Sequence, residues 1–394
     1  MTTRVRDSFL PFAPPLLGDE EIAEVVETLR SGWITTGPRV ARFEADFADR
    51  VGAPAALALS SGTAGLHLAL CALGVGPGDR VVSTPMTFCS SIHVIEQVGA
   101  VPLLVDVEPD TLNIDTDQVA AAVARTPGVR AIELVHLYGH PCEMDPLLDI
   151  AERHGLGLVE DAAHALPAAY RGRLVGAPAA GPPDLAAFSF YATKNLTTGE
   201  GGMLTGPPDL VERARTLSLH GLSRDAYRRY GPGGSWYYEV VAAGFKYNMT
   251  DIQAALGLVQ LRRLEAFQAR RREIVERYDA AFAELEELEL PARRPHVDHA
   301  WHLYAVRLDL DRLAIDRAAF IAELTDLRIG TSVHFIPVHL HPYYRDRYGF
   351  TPADFPVATR EYERLVSLPL YPGLSDGDVE DVIEAVRTVV RRRR

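Results

Sequence analysis

Residues 55–84, AALALSSGTAGLHLALCALGVGPGDRVVST, decide the fold of this 394-residue chain. AALALS is typical of a buried strand, and GTAGLHLALCALG is typical of a helix that ends at a glycine. GVGPGDRVVST then predicts a turn and a second strand. Short apolar strands continue to alternate with helical patterns of about 10–15 residues as far as residue 205. This alternation predicts βαβ units and a parallel sheet with helices on both faces.

A different pattern begins near Asn248. TDIQAALGLVQLRRLEAFQARRREIVERYDAAFAEL predicts a long helix, with Thr250 as the N-cap and Gln253 completing a capping box. HAWHLYAVRLDL and TSVHFIPVHL predict strands, DRAAFIAELTDLRIG between them predicts a helix, and SDGDVEDVIEAVRTVVRR predicts a closing helix. We therefore predict a large α/β domain over residues 1–250 and a smaller α+β domain over residues 251–394.

Composition and charge limit the classes of function. No apolar run reaches the roughly 20 residues that span a bilayer, and the N-terminal MTTRVRDSFLPFAPP lacks the apolar core of a signal peptide. The formal net charge of -13 argues against nucleic acid as a partner, because phosphate binding needs a basic surface. The three cysteines are too widely spaced for a disulfide framework or a metal site. We expect a cytoplasmic protein without a metal or a membrane partner.

The first candidate site follows the strand of the opening stretch. In parallel α/β sheets ligands collect beyond the carboxyl ends of the strands. In SSGTAGLHLAL the strand leads directly into a helix, with Gly62 and Thr63 at the helix start. Free amides and the positive end of the helix dipole suit a phosphate group. A plain N-cap without a ligand is the alternative.

The second candidate site lies in GLGLVEDAAHA, where a buried strand ends at Glu160 and Asp161, and His164 follows three residues later. A carboxylate at this place can hold a proton on a pyridine nitrogen through a charge-assisted hydrogen bond. That bond keeps the ring an electron sink, and His164 can contact another edge of the same ring. A helix-capping Asp beside a partly buried structural His is the alternative.

The third candidate site is AAFSFYATKN, a predicted strand and turn that carry Ser189 and Lys194. A lysine that is desolvated beside a cationic ring has a lowered pKa and becomes a nucleophile and base, although a lone lysine is often a surface residue. Together the three sites match the phosphate, the ring nitrogen and the aldehyde of pyridoxal 5'-phosphate (PLP). We therefore predict that Lys194 forms a Schiff base with PLP.

Motifs along almost the whole chain resemble those of the DegT/DnrJ/EryC1/StrS sugar aminotransferases. They are SGWITTGPRVARFE, SSGTAGLHLAL, DAAHA, SFYATKNLTTGEGGML, HGLSRDAY, GFKYNMTDIQAALG and SLPLYP. The resemblance implies the PLP-dependent transferase type I fold, with a mainly parallel seven-stranded sheet in the large domain. LPFAPPLLGDEEIAEVVETLRSGWITTGP, GFKYNMTDI and HAWHLYAVRLD are most similar to the branch that aminates a UDP-4-keto-pentose to UDP-4-amino-4-deoxy-L-arabinose.

The resemblance also implies roles for residues of the cofactor site. Lys194 is expected to be the Schiff-base lysine, Asp161 the partner of the pyridinium nitrogen, and His164 a neighbour of the phenolic oxygen. Phe88 is expected to stack on the cofactor ring. The expected phosphate contacts are Gly62, Thr63 and Ser189.

Further roles implied by the resemblance concern a second subunit and the sugar. Family members are homodimers in which the segment matching GFKYNMTDI reaches the partner's active site, so that either Lys246 or Asn248 is expected at the phosphate. The residues expected to line the sugar pocket are Thr35, Thr36, His334 and His339. For both histidines a structural role is the alternative.

The expected reaction is a ping-pong transamination. L-glutamate converts PLP to pyridoxamine 5'-phosphate (PMP), which then aminates the keto carbon, at position 4, of a nucleotide-linked keto-pentose. A 4-keto-6-deoxyhexose and a 3-keto-sugar are alternative substrates. A PMP-dependent sugar 3-dehydratase is a further alternative, but that branch has His at the position of Lys194. The last alternative is a non-catalytic regulatory protein that binds PLP.

Overall fold

The computed structural model describes residues 6–222 and 237–394. Residues 1–5, at the start of the N-terminal segment considered above, lie outside the described residues, and so does the motif HGLSRDAY from Ser223 onward. No helix in the two described ranges is long and apolar enough to cross a membrane.

The strands of the described ranges are β1 (Ala56–Leu59), β2 (Arg80–Ser83), β3 (Val101–Leu104), β4 (Val129–Val135), β5 (Gly157–Asp161), β6 (Ala169–Tyr170), β7 (Arg173–Leu174), β8 (Asp184–Ser189), β9 (Gly202–Thr205), β10 (Leu288–Glu289), β11 (Val297–Asp298), β12 (Tyr304–Leu308) and β13 (Leu365–Leu368). The helices are α1 (Asp19–Ser31), α2 (Pro38–Val51), α3 (Gly62–Leu73), α4 (Cys89–Gln97), α5 (Thr116–Arg125), α6 (Met144–His154), α7 (Pro208–Ser218), α8 (Asp251–Phe282), α9 (Arg317–Asp326), α10 (Pro342–Tyr348), α11 (Pro356–Arg364) and α12 (Asp376–Arg393).

A seven-stranded sheet in the order β1-β9-β8-β5-β4-β2-β3 forms the centre of the molecule. The neighbouring strands β8, β5, β4, β2 and β3 pair in parallel. Only β9 runs against the others, and it pairs antiparallel with both β8 and β1. The predicted α/β fold with a mainly parallel sheet is therefore confirmed. Because six strands point the same way, their carboxyl ends meet at one edge of the sheet.

Helix α8 begins with the predicted capping box. The Gln253 amide donates to the Thr250 hydroxyl at 3.3 Å, and the Gln253 side chain accepts from the Thr250 amide at 3.0 Å. The helix packs against α1 and α2 on the side of the large sheet and against α12 near the C-terminus. A smaller antiparallel sheet, β10-β12-β13, lies in that second layer. The domain boundary at residue 250 stays a prediction.

The prediction of a strand over TSVHFIPVHL is wrong. Only Ser332 makes a bridge, to Ser367, and residues 338–340 form a turn of 3-10 helix. Pro337 has no amide to donate to a sheet. Of its apolar side chains, Phe335 lines a cavity at the edge of the large sheet and Val338 is buried in the core, whereas Ile336 is 45% exposed.

Candidate active site

A cavity of about 400 Å³ lies at the carboxyl edge of the large sheet. It is enclosed by the loops after β1, β2, β5 and β8 and by a segment of the C-terminal part of the chain. The predicted site residues that line it are Gly62, Thr63, Phe88, Asp161, His164, Ser189, Lys194 and His334. The fold therefore brings together the three candidate sites that the sequence separates by more than a hundred residues.

Lys194 lies on the turn after β8 and is partly buried. Its amide donates to the carbonyl of Tyr191 at 2.9 Å, which closes the turn. Burial lowers the pKa of the Lys194 ammonium to about 8, against the attraction of the nearby Asp161 carboxylate. About a tenth of the side chain is therefore an uncharged amine at pH 7, far more than for an ordinary lysine, and this is the form that attacks a carbonyl.

Asp161 ends β5, and its carboxylate is buried. The Ser91 hydroxyl donates to one carboxylate oxygen at 2.8 Å, and the Ala163 amide donates to the other at 3.1 Å. The Thr87 hydroxyl lies 2.8 Å from that of Ser91 and extends the network. Burial raises the pKa of Asp161, whereas these hydrogen bonds and Lys194 oppose the rise. A cation that enters the cavity beside this carboxylate would favour its ionised form.

The start of α3 forms one wall of the cavity. The Ser61 hydroxyl caps the helix by accepting from the Ala64 amide at 3.0 Å. The two helix amides before Ala64 have no acceptor within the helix, as at the start of any α-helix. Glycine is required at positions 62 and 202, because neighbouring parts of the chain lie too close for a side chain. A Cβ on Gly62 would come within 2.9 Å of the Ser189 Cβ, and a Cβ on Gly202 within 2.4 Å of the Ser61 backbone.

Aromatic rings line the opposite side. Phe88 is 57% exposed although it is apolar, and it faces Phe335 at 5.8 Å between ring centroids. His164 stacks on Phe335 at 5.7 Å with an interplanar angle of 18°. The His164 Nδ1 accepts from the Tyr138 amide at 3.2 Å, and burial lowers the pKa of His164 well below its ordinary value. An uncharged ring therefore faces the cavity.

Four predicted residues lie together outside the cavity of their own chain. The Asn248 amide nitrogen donates to the Thr36 hydroxyl at 2.7 Å, and the Lys246 ammonium donates to the Asn248 side-chain oxygen. The backbone of Thr35 accepts from the Asp251 amide at 3.0 Å. The two segments that carry these residues thus form one polar cluster, and none of the four side chains reaches the cavity described above.

His339 does not line the cavity, and the prediction of a position in the sugar pocket is corrected. Its side chain is buried. The Nε2 atom lies 2.9 Å from the Thr359 hydroxyl, and the ring packs against Phe355 at 4.8 Å. Contacts with Thr359 of α11 and with the neighbouring Phe355 account for this histidine, which is the structural alternative that the sequence left open.

Several lining residues were missed by the reasoning from sequence. Tyr191 and Glu200 flank Lys194 in the turn, and His302 enters the cavity from the segment before β12. Ser91 lies on α4 beside Asp161 and was not singled out either. The position of Tyr191 and Glu200 in the lysine motif was a usable signal. Nothing in the local pattern around His302 indicates that it reaches the same cavity.

The lining residues fit PLP. The free amides at the start of α3 suit a phosphate, and Thr63 and Ser189 line the cavity with hydroxyl groups. Asp161 supplies a buried carboxylate for a protonated ring nitrogen, and Lys194 supplies an amine for the aldehyde. The exposed ring of Phe88 offers an apolar face for stacking. This donor set can hold the phosphate, the ring and the aldehyde at once.

Comparisons with known proteins agree with this site. Residues 15–387 match the model of the DegT/DnrJ/EryC1/StrS aminotransferase family. The chain is 51% identical to the spore coat polysaccharide biosynthesis protein SpsC of Bacillus subtilis (strain 168), over 98% of each chain.

Solved structures give the same result. Spr1654 from Streptococcus pneumoniae, solved in its PMP form, is 37% identical and superposes with a TM-score of 0.90, covering 97% of this chain and 99% of the other. The PLP form of that protein is equally similar, with a TM-score of 0.89. The sugar aminotransferase CalS13 from Micromonospora echinospora is 31% identical, with a TM-score of 0.84 and coverage of 96% and 99%.

The PLP- and PMP-loaded neighbours and the family match agree with the cavity built around Lys194 and Asp161. The chain therefore belongs to the DegT/DnrJ/EryC1/StrS family and is a sugar aminotransferase that uses PLP and its aminated form, PMP.

Proposed function

We propose that the enzyme transfers the amino group of L-glutamate to the keto carbon at position 4 of a nucleotide-linked sugar, with a pentose as the favoured substrate. The observation that carries the transfer is the pairing, in one cavity, of a lysine with a lowered pKa and a buried carboxylate. The choice of a pentose rests on the likeness of GFKYNMTDI and HAWHLYAVRLD to the pentose branch.

Each residue of the cavity has a definite task in this proposal. Bound PLP supplies an aldehyde that condenses with amines and a ring that withdraws electrons from the adjacent carbon. Lys194 Nζ accepts the proton that leaves the α-carbon of the donor, and in the second half-reaction it delivers a proton to the former keto carbon. Asp161 keeps a proton on the ring nitrogen. Gly62, Thr63 and Ser189 hold the phosphate.

His164 and Phe88 make the remaining contacts with the cofactor ring in this proposal. The neutral His164 ring donates a hydrogen bond to the phenolic oxygen, because its Nδ1 already accepts from Tyr138 and leaves the proton on Nε2. Phe88 covers the face of the ring and excludes water from it. His334 borders the sugar side of the cavity, where its Nδ1 lies 2.9 Å from the Ser367 hydroxyl.

We further propose that the active enzyme is a homodimer with shared active sites. Helix α1 exposes an apolar stripe and buries a carboxylate, the reverse of a helix on a monomer surface. Ile22 and Leu29, seven residues apart on one face of the helix, are 60% and 53% exposed. Trp33 and Ile34, just after the helix, are also exposed, at 41% and 51%. A second copy that covers this stripe would also receive the adjoining loop.

The polar cluster beside the stripe then has a place in the partner's site. Thr35 and Thr36 would line the sugar pocket of the other subunit, and Lys246 or Asn248 would reach its phosphate. The Lys246 side chain is exposed, and its ammonium would have to break only its hydrogen bond to the Asn248 side chain to reach that phosphate. A cation is the better partner for a doubly charged phosphate, which favours Lys246.

The test is a panel of nucleotide keto-sugars. The purified protein, loaded with PLP, is incubated with L-glutamate and with a UDP-4-keto-pentose, a 4-keto-6-deoxyhexose nucleotide or a 3-keto-sugar nucleotide, and the products are separated by mass. Highest turnover of the pentose supports the full proposal. Preference for either other sugar retains the aminotransferase and replaces the substrate.

The same assay separates the two remaining alternatives. A non-catalytic PLP-binding protein would leave the PLP absorbance unchanged after addition of glutamate, whereas the proposal requires single-turnover conversion to PMP. A 3-dehydratase would instead oxidise glutamate to the oxo-acid and release a 3-deoxy keto-sugar without an amino group, so that the glutamate nitrogen would appear as free ammonia. Lys194→Ala is the matched control, because it removes the amine and should abolish amine transfer in every arm.

A further inference from the structure

His302 lines the active-site cavity and has no role in the function proposed so far. It lies just before β12, with a buried side chain. Its ring is 4.4 Å from that of His164, and Lys194 is close enough to lower its pKa. Its backbone is fixed on both sides, because its amide donates to the Tyr138 carbonyl at 3.0 Å and its carbonyl accepts from Arg271 at 3.3 Å.

The hydrogen bonds of Asn195 determine the tautomer of His302. The Asn195 amide nitrogen donates to the carbonyls of Leu166 at 2.9 Å and Ala300 at 2.8 Å, so its side-chain oxygen is left as an acceptor. That oxygen lies 3.1 Å from the His302 Nδ1, which must therefore carry the proton. In the neutral ring the Nε2 atom then bears a lone pair.

The charge state of His302 agrees with this geometry. Burial, His164 and Lys194 all lower its pKa, well below the ordinary value, so the ring stays neutral at physiological pH. Within residues 6–222 and 237–394 the hydrogen bond of the His302 ring is made through Nδ1, to Asn195, and none is made through Nε2. A neutral imidazole with a depressed pKa is a weak base, but its lone pair is a good hydrogen-bond acceptor.

The neighbouring His164 has the opposite tautomer. Its Nδ1 accepts from the Tyr138 amide, so its Nε2 carries the proton. One wall of the cavity thus presents a donor on His164 and an acceptor on His302, with the two rings 4.4 Å apart. A sugar hydroxyl that enters this cavity is a neutral group that can donate to such an acceptor.

We propose that the His302 Nε2 accepts a hydrogen bond from a hydroxyl of the sugar substrate and so selects sugars that carry that hydroxyl. This inference rests on the proposed function. L-glutamate has no hydroxyl group that could donate to His302, and its amino group is the group that is transferred. His302 is therefore a specificity residue for the sugar half-reaction and not for the donor half-reaction.

Two substitutions separate binding of the hydroxyl from support of the neighbouring loop. His302→Asn retains a nitrogen that can donate to Asn195 but removes the acceptor in the cavity. His302→Gln places an amide oxygen near the position of the lost Nε2. The two half-reactions are measured apart by absorbance, as conversion of the PLP form by L-glutamate and of the PMP form by the keto-sugar with the highest wild-type turnover.

For His302→Asn we expect about a tenfold weaker apparent affinity for the keto-sugar, as for the loss of one hydrogen bond to a neutral group. The rate with glutamate should change by less than about twofold, and His302→Gln should recover part of the sugar affinity. A second readout is the PLP absorbance spectrum of His302→Asn between pH 6 and 9, which should equal that of the wild type.

Three results would overturn the inference. An unchanged sugar half-reaction in His302→Asn, on a sugar that the wild type aminates, removes His302 from substrate binding and leaves the proposed function intact. Equal losses in both half-reactions show that His302 acts through Asn195 and the lysine turn. A shifted spectrum places His302 against the cofactor. Failure of the wild type on every keto-sugar overturns the proposed function itself.

Discussion

Replacement of Lys194 by Met should stabilise the apoprotein at neutral pH. The native state at pH 7 must bury the lysine mainly as a cation, and burial lowers its pKa from 10.5 to about 8. The difference is 2.5 pKa units, and each unit corresponds to about 1.4 kcal/mol. The burial of the charge therefore destabilises the apoprotein by about 3 kcal/mol at most, since the side chain keeps partial access to the cavity.

The pH dependence has a definite sign. Below pH 8 the lysine is charged in both states, and the full penalty applies. Between pH 8 and 10.5 the unfolded state binds more protons than the native state, so the stability of the wild type rises with pH. The advantage of Lys194→Met should thus be largest near pH 7 and should vanish towards pH 10.5.

Urea unfolding of the apoprotein at a fixed protein concentration, at pH 7, 8.5 and 9.5, measures this difference. Lys246→Met is the matched control, because Lys194 and Lys246 are the two lysines of the chain and Lys246 is exposed. Its effect should stay within about 0.5 kcal/mol at every pH. Equal stability of Lys194→Met and wild type at pH 7, or a difference that does not depend on pH, would refute the reasoning.

Three further predictions concern the cofactor site and the subunit contact. Asp161→Asn should slow both half-reactions by about 10- to 100-fold in single-turnover absorbance assays, because it removes a charge-assisted hydrogen bond; an effect on one half-reaction alone would contradict the assigned role. Gly62→Ala should lower the free energy of unfolding by about 1–3 kcal/mol and weaken PLP retention in equilibrium dialysis, because its Cβ meets that of Ser189 at 2.9 Å. Gly377→Ala, with its nearest neighbour at 3.8 Å, is the control and should be neutral. Ile22→Asp should shift the sedimentation coefficient from dimer to monomer and reduce turnover; a wild type that already sediments as a monomer would exclude the shared site.

The part of the site that the sequence predicted is the part that local pattern controls. Gly62, Asp161 and Ser189 each stand at or just beyond the end of a short apolar strand, and Lys194 lies on the turn that follows. Parallel strands carry their ends to one edge, so recognition of the βαβ alternation was enough to bring these residues together. The same reasoning predicted the capping box of α8, because both of its partners lie within one turn of helix.

The residues that escaped prediction reach the cavity by packing between distant segments. His302 is placed by its bonds to Asn195 and to the Tyr138 carbonyl, partners that no periodicity reveals. The stretch around His334 has the alternation of a strand but is used as a cavity wall. The antiparallel course of β9 was missed in the same way, since a strand of four residues carries no signal of its direction.

The pairing of Lys194 with Asp161 explains how the lysine can be held as a cation in one state and released as a base in another. Two opposing effects set the lysine pKa, and burial outweighs the attraction of Asp161. On the proposed roles, a protonated ring nitrogen competes with Lys194 for the single negative charge of Asp161. The lysine then loses part of its counter-ion while its burial increases, and both changes lower its pKa further. Loading of the cofactor would thus itself activate the base, and for that reason Asp161→Asn should lower the pKa of Lys194 even in the apoprotein.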